Sequence, residues 1–260
     1  MKQISACIIS MLALLFSGNI FAQNVSIGAR GGISIPNLTA GGSETNPLNT
    51  GYKSRLGGDA AIFAAFRLTP VFSIQPMIEY SSQGGKKEGM QAFPTPQEYA
   101  SMFPQGAPEY LYADFKSEAK LNYLLVPVLA KFGWDIHNAP LRIYVDAGPF
   151  AGFLLSAHQV LNGSSIVYAD PKGQQPLSPE PQSFDSTKNI KSDLNTFNFG
   201  VSGNIGIAYL FNKSSIFLEG GGNYGFLNIQ KGTANGKNNT GAGTVSLGYA
   251  YRLGSTRKGK

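Results

Sequence analysis

The stretch Gly241-Ala242-Gly243-Thr244-Val245-Ser246-Leu247-Gly248-Tyr249-Ala250-Tyr251-Arg252-Leu253 alternates with a period of two. Val245, Leu247, Tyr249, Tyr251 and Leu253 share one face, and Thr244, Ser246, Gly248 and Arg252 share the other. That is a β-strand with one apolar and one polar side. Upstream, Phe72, Ile74, Ile78 and Tyr80 oppose Ser73, Gln75, Glu79 and Ser81. Phe197, Phe199, Val201, Ile205, Ile207 and Tyr209 oppose Asn198, Ser202 and Asn204 in the same way.

Extended over the chain, the pattern predicts eight strands, at 24–35, 57–68, 71–82, 118–132, 141–156, 194–211, 216–229 and 241–253. Their connections are alternately short and long. Thr69-Pro70, 134–140 and 212–215 are tight; 36–56, 83–117, 157–193 and 230–240 are longer. Long loops at one end and tight turns at the other describe an all-β, eight-stranded antiparallel up-and-down transmembrane β-barrel of the bacterial outer membrane, with both termini in the periplasm.

The facing of the charges separates a membrane barrel from a soluble one. Arg30, Asp59, Arg67, Glu79, Arg142, Asp146, Glu219 and Arg252, joined by Lys131 on the fourth strand, lie on the polar faces. A Lys or Arg at the midplane of the lipid face costs about 2–4 kcal/mol, so these faces point inward. The polar faces are also rich in Gly, Ser, Ala and Asn, as expected where volume is limited, and only 14% of the 260 residues are charged while 32 are Gly. Aromatic residues form two bands. Phe66, Phe72, Phe132, Trp134, Tyr209, Phe211, Tyr249 and Tyr251 lie towards the tight turns, and Tyr80, Phe153, Phe197, Phe199, Tyr224 and Phe226 towards the loops. Two such bands are the girdles of a bilayer-spanning barrel. Pro76, Pro127 and Pro149 fall inside strands, where each removes a ladder donor; local bulges are the expected accommodation.

Three segments follow: an export signal at 1–22, the barrel at 23–254 and a basic periplasmic tail at 255–260. Met1-Lys2, the apolar run 4–16 and Ile20-Phe21-Ala22 make the signal peptide. The run is shorter than the roughly 20 residues that a spanning helix needs. The single Cys, Cys7, leaves with it, so the mature chain carries no disulfide and no thiolate metal site. The net charge of +6 is dispersed apart from Arg257, Lys258 and Lys260, and no basic patch interleaved with aromatics points to nucleic acid.

Several segments resemble the PorT-like outer-membrane β-barrel proteins. Phe72-Ser73-Ile74-Gln75-Pro76-Met77-Ile78-Glu79-Tyr80-Ser81-Ser82-Gln83-Gly84 is similar to that family's third-strand hairpin motif, and Leu121-Asn122-Tyr123-Leu124-Leu125-Val126-Pro127-Val128-Leu129-Ala130-Lys131 to its fourth-strand motif. Ala147-Gly148-Pro149-Phe150 with Gly152-Phe153-Leu154-Leu155-Ser156-Ala157 resembles its fifth. The resemblance implies an outer-membrane barrel spanning the mature chain and treats the in-strand prolines as a family habit. The family's name comes from a member implicated in protein secretion, a role that does not carry over.

An eight-stranded lumen is just wide enough to be filled by side chains. Arg30, Arg67, Arg142, Arg252 and Lys131 are expected to pair there with Asp59, Glu79, Asp146 and Glu219, plugging it. Function then moves to the loops. The segment 83–117 carries Phe93, Tyr99, Phe103, Tyr110, Tyr112 and Phe115 among prolines, a candidate recognition surface. The expected role is non-enzymatic: envelope structure, surface recognition or an accessory part of an envelope machine. The partners expected are outer-membrane lipid, lipopolysaccharide and an envelope protein, with no cofactor. The alternatives are a narrow pore and an outer-rim lipid A-modifying enzyme. For the latter His158, near Ser156, Ser164 and Asp170, is the candidate base; His137 lies in a periplasmic turn.

Overall fold

The computed structural model describes residues 25–40, 47–48, 50–232 and 236–253; the expected signal segment 1–22 and tail 255–260 lie outside them. The chain forms strands β1 (Val25–Ala40), β2 (Gly57–Arg67), β3 (Phe72–Pro94), β4 (Tyr110–Asp135), β5 (Leu141–Asn162), β6 (Ser164–Ser165), β7 (Gln182–Ser183), β8 (Ser186–Asn189), β9 (Phe197–Phe211), β10 (Ser214–Gly225) and β11 (Asn238–Arg252). One short helix, α1 (Gln97–Ala100), lies between β3 and β4. β1, β2, β3, β4, β5, β9, β10 and β11 pair antiparallel in a ring, closed by β4 on β5 and by β1 on β11. The closing ladder runs from Ser26 opposite Arg252 to Ala40 opposite Asn238.

The turns at the periplasmic end carry their own chemistry. Thr69 Oγ1 accepts from the backbone N–H of Phe72 at 2.9 Å, and Asn138 and Asn212 adopt positive φ, a conformation that Asn tolerates better than most residues. The bilayer-facing wall is apolar, and both aromatic bands point outward: Trp134 is 47% exposed and Phe197 47%. Inside, Phe63, Tyr144, Phe150 and Phe217 each lie across a glycine directly opposite on the neighbouring strand, namely Gly28, Gly206, Gly200 and Gly248. A Cβ at any of these glycines would overlap the ring. The abundance of Gly on the polar faces is therefore a packing device that lets large rings lie flat in a narrow lumen.

The prolines are accommodated by lapses in pairing, not by bulges. Pairing lapses beside Pro76 between Phe63↔Met77 and Phe66↔Ile74, beside Pro127 between Pro76↔Val128 and Glu79↔Leu125, and beside Pro149 between Pro127↔Phe150 and Ala130↔Ala147. Each ladder resumes in unchanged register, and the shift between β4 and β5 occurs elsewhere, at Asn122/Tyr123.

β3 and β4 run well past the expected ends at 82 and 118, so the segment 83–117 is mostly a protruding hairpin. β5 extends to Asn162 and pairs with β8 from His158 opposite Asn189 to Leu161 opposite Ser186. With the two-stranded ladder of β6 and β7, these elements build an ordered extracellular head.

Candidate functional site

The barrel interior is layered. At mid-height Arg30 on β1 faces carboxylates from three strands. Its Nη2 donates to Glu79 Oε2 on β3 at 2.7 Å, its Nη1 donates to Glu219 Oε1 on β10, and Asp59 on β2 lies 3.9 Å away. The Tyr144 hydroxyl of β5 donates to the other Glu219 oxygen at 2.7 Å. All five residues are buried. Pairing and hydrogen bonds offset the burial of Arg30, Glu79 and Glu219. Asp59 contributes charge alone, neither of its oxygens having a hydrogen-bond partner among the described residues. The knot ties five strands together across the lumen.

Below it, Lys131 donates to Gln75 Oε1 at 3.2 Å, lies 3.9 Å from Asp146, and sits 3.6 Å from the centroid of the Tyr144 ring. Asn204 donates to Asp146 at 2.8 Å. Arg67, Arg142 and Arg252 do not join the lumen carboxylates. They line the periplasmic mouth, where Arg142 donates to Asp135 at 2.6 Å. The nine lumen charges expected to form one network thus fall into three groups. The strand tilt sets this grouping: it places Arg30 level with Glu79 and Glu219, and leaves the other guanidiniums a layer below.

Above the knot an apolar cluster fills one side of the lumen, beside buried polar side chains that include Ser34, Gln83 and Asn198. Leu121, Tyr123 and Leu125 of β4 pack with Phe150, Leu154 and Ala157 of β5, and Leu38, Leu194 and Ile229 close over them. A polar interior throughout was expected. The signal was present in the poor alternation of the fourth strand, where both faces are apolar.

Beyond the outer aromatic band the head encloses a cavity of about 390 Å³. Its floor is the apolar cluster, with Leu38, Ala119, Leu121 and Ile229 among its lining, and Lys87 of β3 projects into it. Lys87 is 8% exposed; its ammonium donates to the carbonyls of Pro47 and Leu48 at 3.2 and 3.0 Å and lies 5.0 Å from the Tyr52 ring centroid. Among the described residues no carboxylate pairs with it, and burial pushes it down to about 8. Sequence reasoning missed this residue because Lys87 sits in a Gly- and Lys-rich run that reads as a solvated loop.

The six aromatics expected to present a recognition surface are placed otherwise. Tyr99 is buried with Leu111 and Val167 in a core inside the head, with Phe93, Phe103 and Phe184 packed against it. Phe115 is buried too and stacks on Phe184 at 4.8 Å. Tyr110 and Tyr112 are half-buried on the hairpin. This corrects the expectation of exposed contact aromatics: alternate apolar side chains of the extended β3 and β4 turn inward, Tyr99 and Phe103 of the connecting segment pack with them, and together they stabilise the head itself.

His158 is likewise not assembled into a catalytic group. It lies on β5 between Lys120 and Asn189, while Ser156 Oγ accepts from Asn122 and the Asp170 carboxylate accepts from the backbone N–H groups of Lys172, Gln174 and Gln175. Ser164 pairs with Ser183 in the ladder of β6 and β7.

Residues 21–231 match the family model described as outer membrane protein beta-barrel domain. No curated protein matches the chain. Similar solved structures include Neisserial surface protein A, at 14% identity and TM-score 0.37, covering 88% of this chain and 96% of that one. The attachment invasion locus protein Ail of Yersinia pestis, solved with the heparin analogue sucrose octasulfate, has 10% identity and TM-score 0.35, over 88% and 100%. OprG of Pseudomonas aeruginosa has 9% identity and TM-score 0.35, over 89% and 96%.

Proposed function

This chain belongs to the outer membrane protein beta-barrel domain family, and from that premise we propose that it is a non-enzymatic surface-recognition barrel of the PorT-like type. Its place is the outer membrane of a Gram-negative bacterium. The observation that carries the reading is the contrast between the two ends of the lumen. The middle is blocked by the Arg30 knot and the apolar cluster above it, whereas the head is ordered and holds a cavity. Such a molecule holds ligands at the cell surface; it does not pass them.

The cavity combines an apolar floor with the buried ammonium of Lys87, which lacks a carboxylate partner among the described residues, and Lys188 and Asp193 complete its charged lining. It suits a small amphiphile with an acidic head, because an anionic group beside Lys87 would offset the cost of the buried charge while the apolar body covers Leu38, Leu121 and Ile229. Lipopolysaccharide surrounds the wall as solvent, and an envelope protein can dock on the protruding hairpin.

The test uses the full protein in nanodiscs, titrated with decanoate by calorimetry. Saturable binding that weakens in Lys87→Met is expected, together with negligible sugar flux in a liposome-swelling assay. Porin-like flux, or decanoate uptake identical in wild type and variant, overturns the proposal. The rim-enzyme reading is tested separately: His158→Ala is expected to leave lipid A composition unchanged.

A further inference from the structure

We propose that the periplasmic mouth of the barrel is an anion-binding site for a carboxylate or phosphate group presented from the periplasmic side. The mouth is a cavity of about 370 Å³ beneath Lys131 and the Tyr144 and Phe217 rings. Three guanidiniums reach it from three strands: Arg67 from β2, Arg142 from β5 and Arg252 from β11. Arg67 and Arg142 both donate to one carbonyl, that of Pro70, each at 2.8 Å. Like charges are thereby held together on a single neutral acceptor, and Arg67 also lies in the repulsive field of Arg252.

The charges do not balance locally. Asp59, Glu79 and Glu219 are gathered around Arg30, and Asp146 answers Lys131. Asp135 is the single acid among the cavity's lining residues, and Arg142 holds it. Among the described residues Arg67 and Arg252 have no carboxylate partner. A lumen that collects acids at mid-height and guanidiniums at its mouth leaves a positive field at the mouth, where field lines are focused by low-dielectric walls.

The side chains are also aimed and fixed. Their outward neighbours Phe66, Ile143 and Tyr251 face lipid, so Arg67, Arg142 and Arg252 point into the mouth and not to the membrane's own headgroups. Arg142 is positioned by Asp135, by the Gly133 carbonyl at 2.8 Å and by the missing side chain of Gly133, where a Cβ would crowd its guanidinium. Guanidinium forks match the oxygens of carboxylate and phosphate groups, and the hydroxyls of Ser26, Ser73 and Ser215 line the same space. Two periplasmic sources supply that chemistry, free phosphate and the carboxylates of peptidoglycan stem peptides. The knot above stops either from going further, so the group docks at the mouth.

The experiment compares wild type with Arg67→Gln/Arg252→Gln in nanodiscs, titrated by calorimetry with inorganic phosphate and, separately, with a soluble muropeptide carrying free carboxylates. Binding of either probe, weakened about tenfold or more in the variant, is expected. Muropeptide binding identifies a carboxylate source, and phosphate binding alone identifies a phosphate source. Without ligand the variant should be as stable as wild type or more so, since it removes repulsion; a variant less stable than wild type and unchanged binding together assign these arginines a structural role and overturn the proposal. Should the variant fail to insert, wild type alone decides: phosphate must raise its unfolding temperature above that in chloride of equal ionic strength, and no difference overturns the site.

Discussion

The ring of Tyr144 lies flat across Gly206, its direct partner on the neighbouring strand, and from there its hydroxyl reaches Glu219. The glycine is what allows the hydrogen bond. Gly206→Ala would put a methyl group into the ring and push Tyr144 off Glu219. The expected loss is about 1–3 kcal/mol from overpacking, read as a lower urea midpoint in lipid vesicles. Gly31→Ala, on the lipid-facing side where a Cβ meets its nearest atom at 4.0 Å, is the control and should be close to neutral.

Arg30 is the common partner of Glu79, Glu219 and Asp59. Arg30→Met leaves three buried carboxylates facing one another, at an expected cost of about 3–5 kcal/mol. Adding Glu79→Gln and Glu219→Gln should recover most of that loss, because it is the uncompensated charge and not the missing pair that destabilises. Heat-modifiable gel migration across a urea series distinguishes the two variants.

Lys87 carries a pH signature. Its amine in the folded head titrates near 8, below the ordinary 10.5, because burial disfavours the charged form. Between those values the unfolded chain binds more protons than the folded one, so the head gains stability as pH rises from about 8 towards 10.5; below 8 this contribution is flat. Protease nicking of the 83–117 hairpin should therefore slow as pH increases across that window. Lys87→Met should abolish this dependence.

Trp134, the chain's single tryptophan, sits on the outward face near the periplasmic end of β4. Its emission should be quenched strongly by lipids brominated near the headgroup and weakly by lipids brominated at the acyl terminus. The opposite order would displace the girdle and the bilayer position derived from it.

Alternation from Thr244 to Leu253 was enough to read the closing strand, and inward charges such as Arg30 and Glu219 were enough to face the wall. The extensions of β3 and β4 were not legible, for a physical reason. Within the bilayer β4 presents apolar residues outward, among them Val126, Val128 and Phe132; above it Lys116, Glu118 and Lys120 face out while Leu111, Ala113 and Phe115 are buried. The alternation continues but its polarity inverts, because the solvent outside changes from lipid to water. Under a single facing rule, the strand ends at that boundary. Gly84 and Gly89, at φ 116° and 97°, reinforced the appearance of a turn.

The partition of the lumen charges was hidden for a different reason. Alternation tells which side of a strand a residue faces but not its height in a tilted ring. Height decides that Arg30 meets Glu79 whereas Arg67 meets the Pro70 carbonyl.

The ladder between β1 and β11 runs without a lapse in pairing, even past Pro36 opposite Ala242, while β2 to β5 are joined by ladders broken beside Pro76, Pro127 and Pro149. The two strands it joins come from opposite ends of the barrel sequence. Bringing them together is the slowest encounter in folding, since nearly the whole chain forms the loop that must close. Once zipped, the same ladder must part along its length before the ring can open. Persistence in the membrane is then set by an escape rate, and a barrel of modest equilibrium stability can outlast the cell that made it.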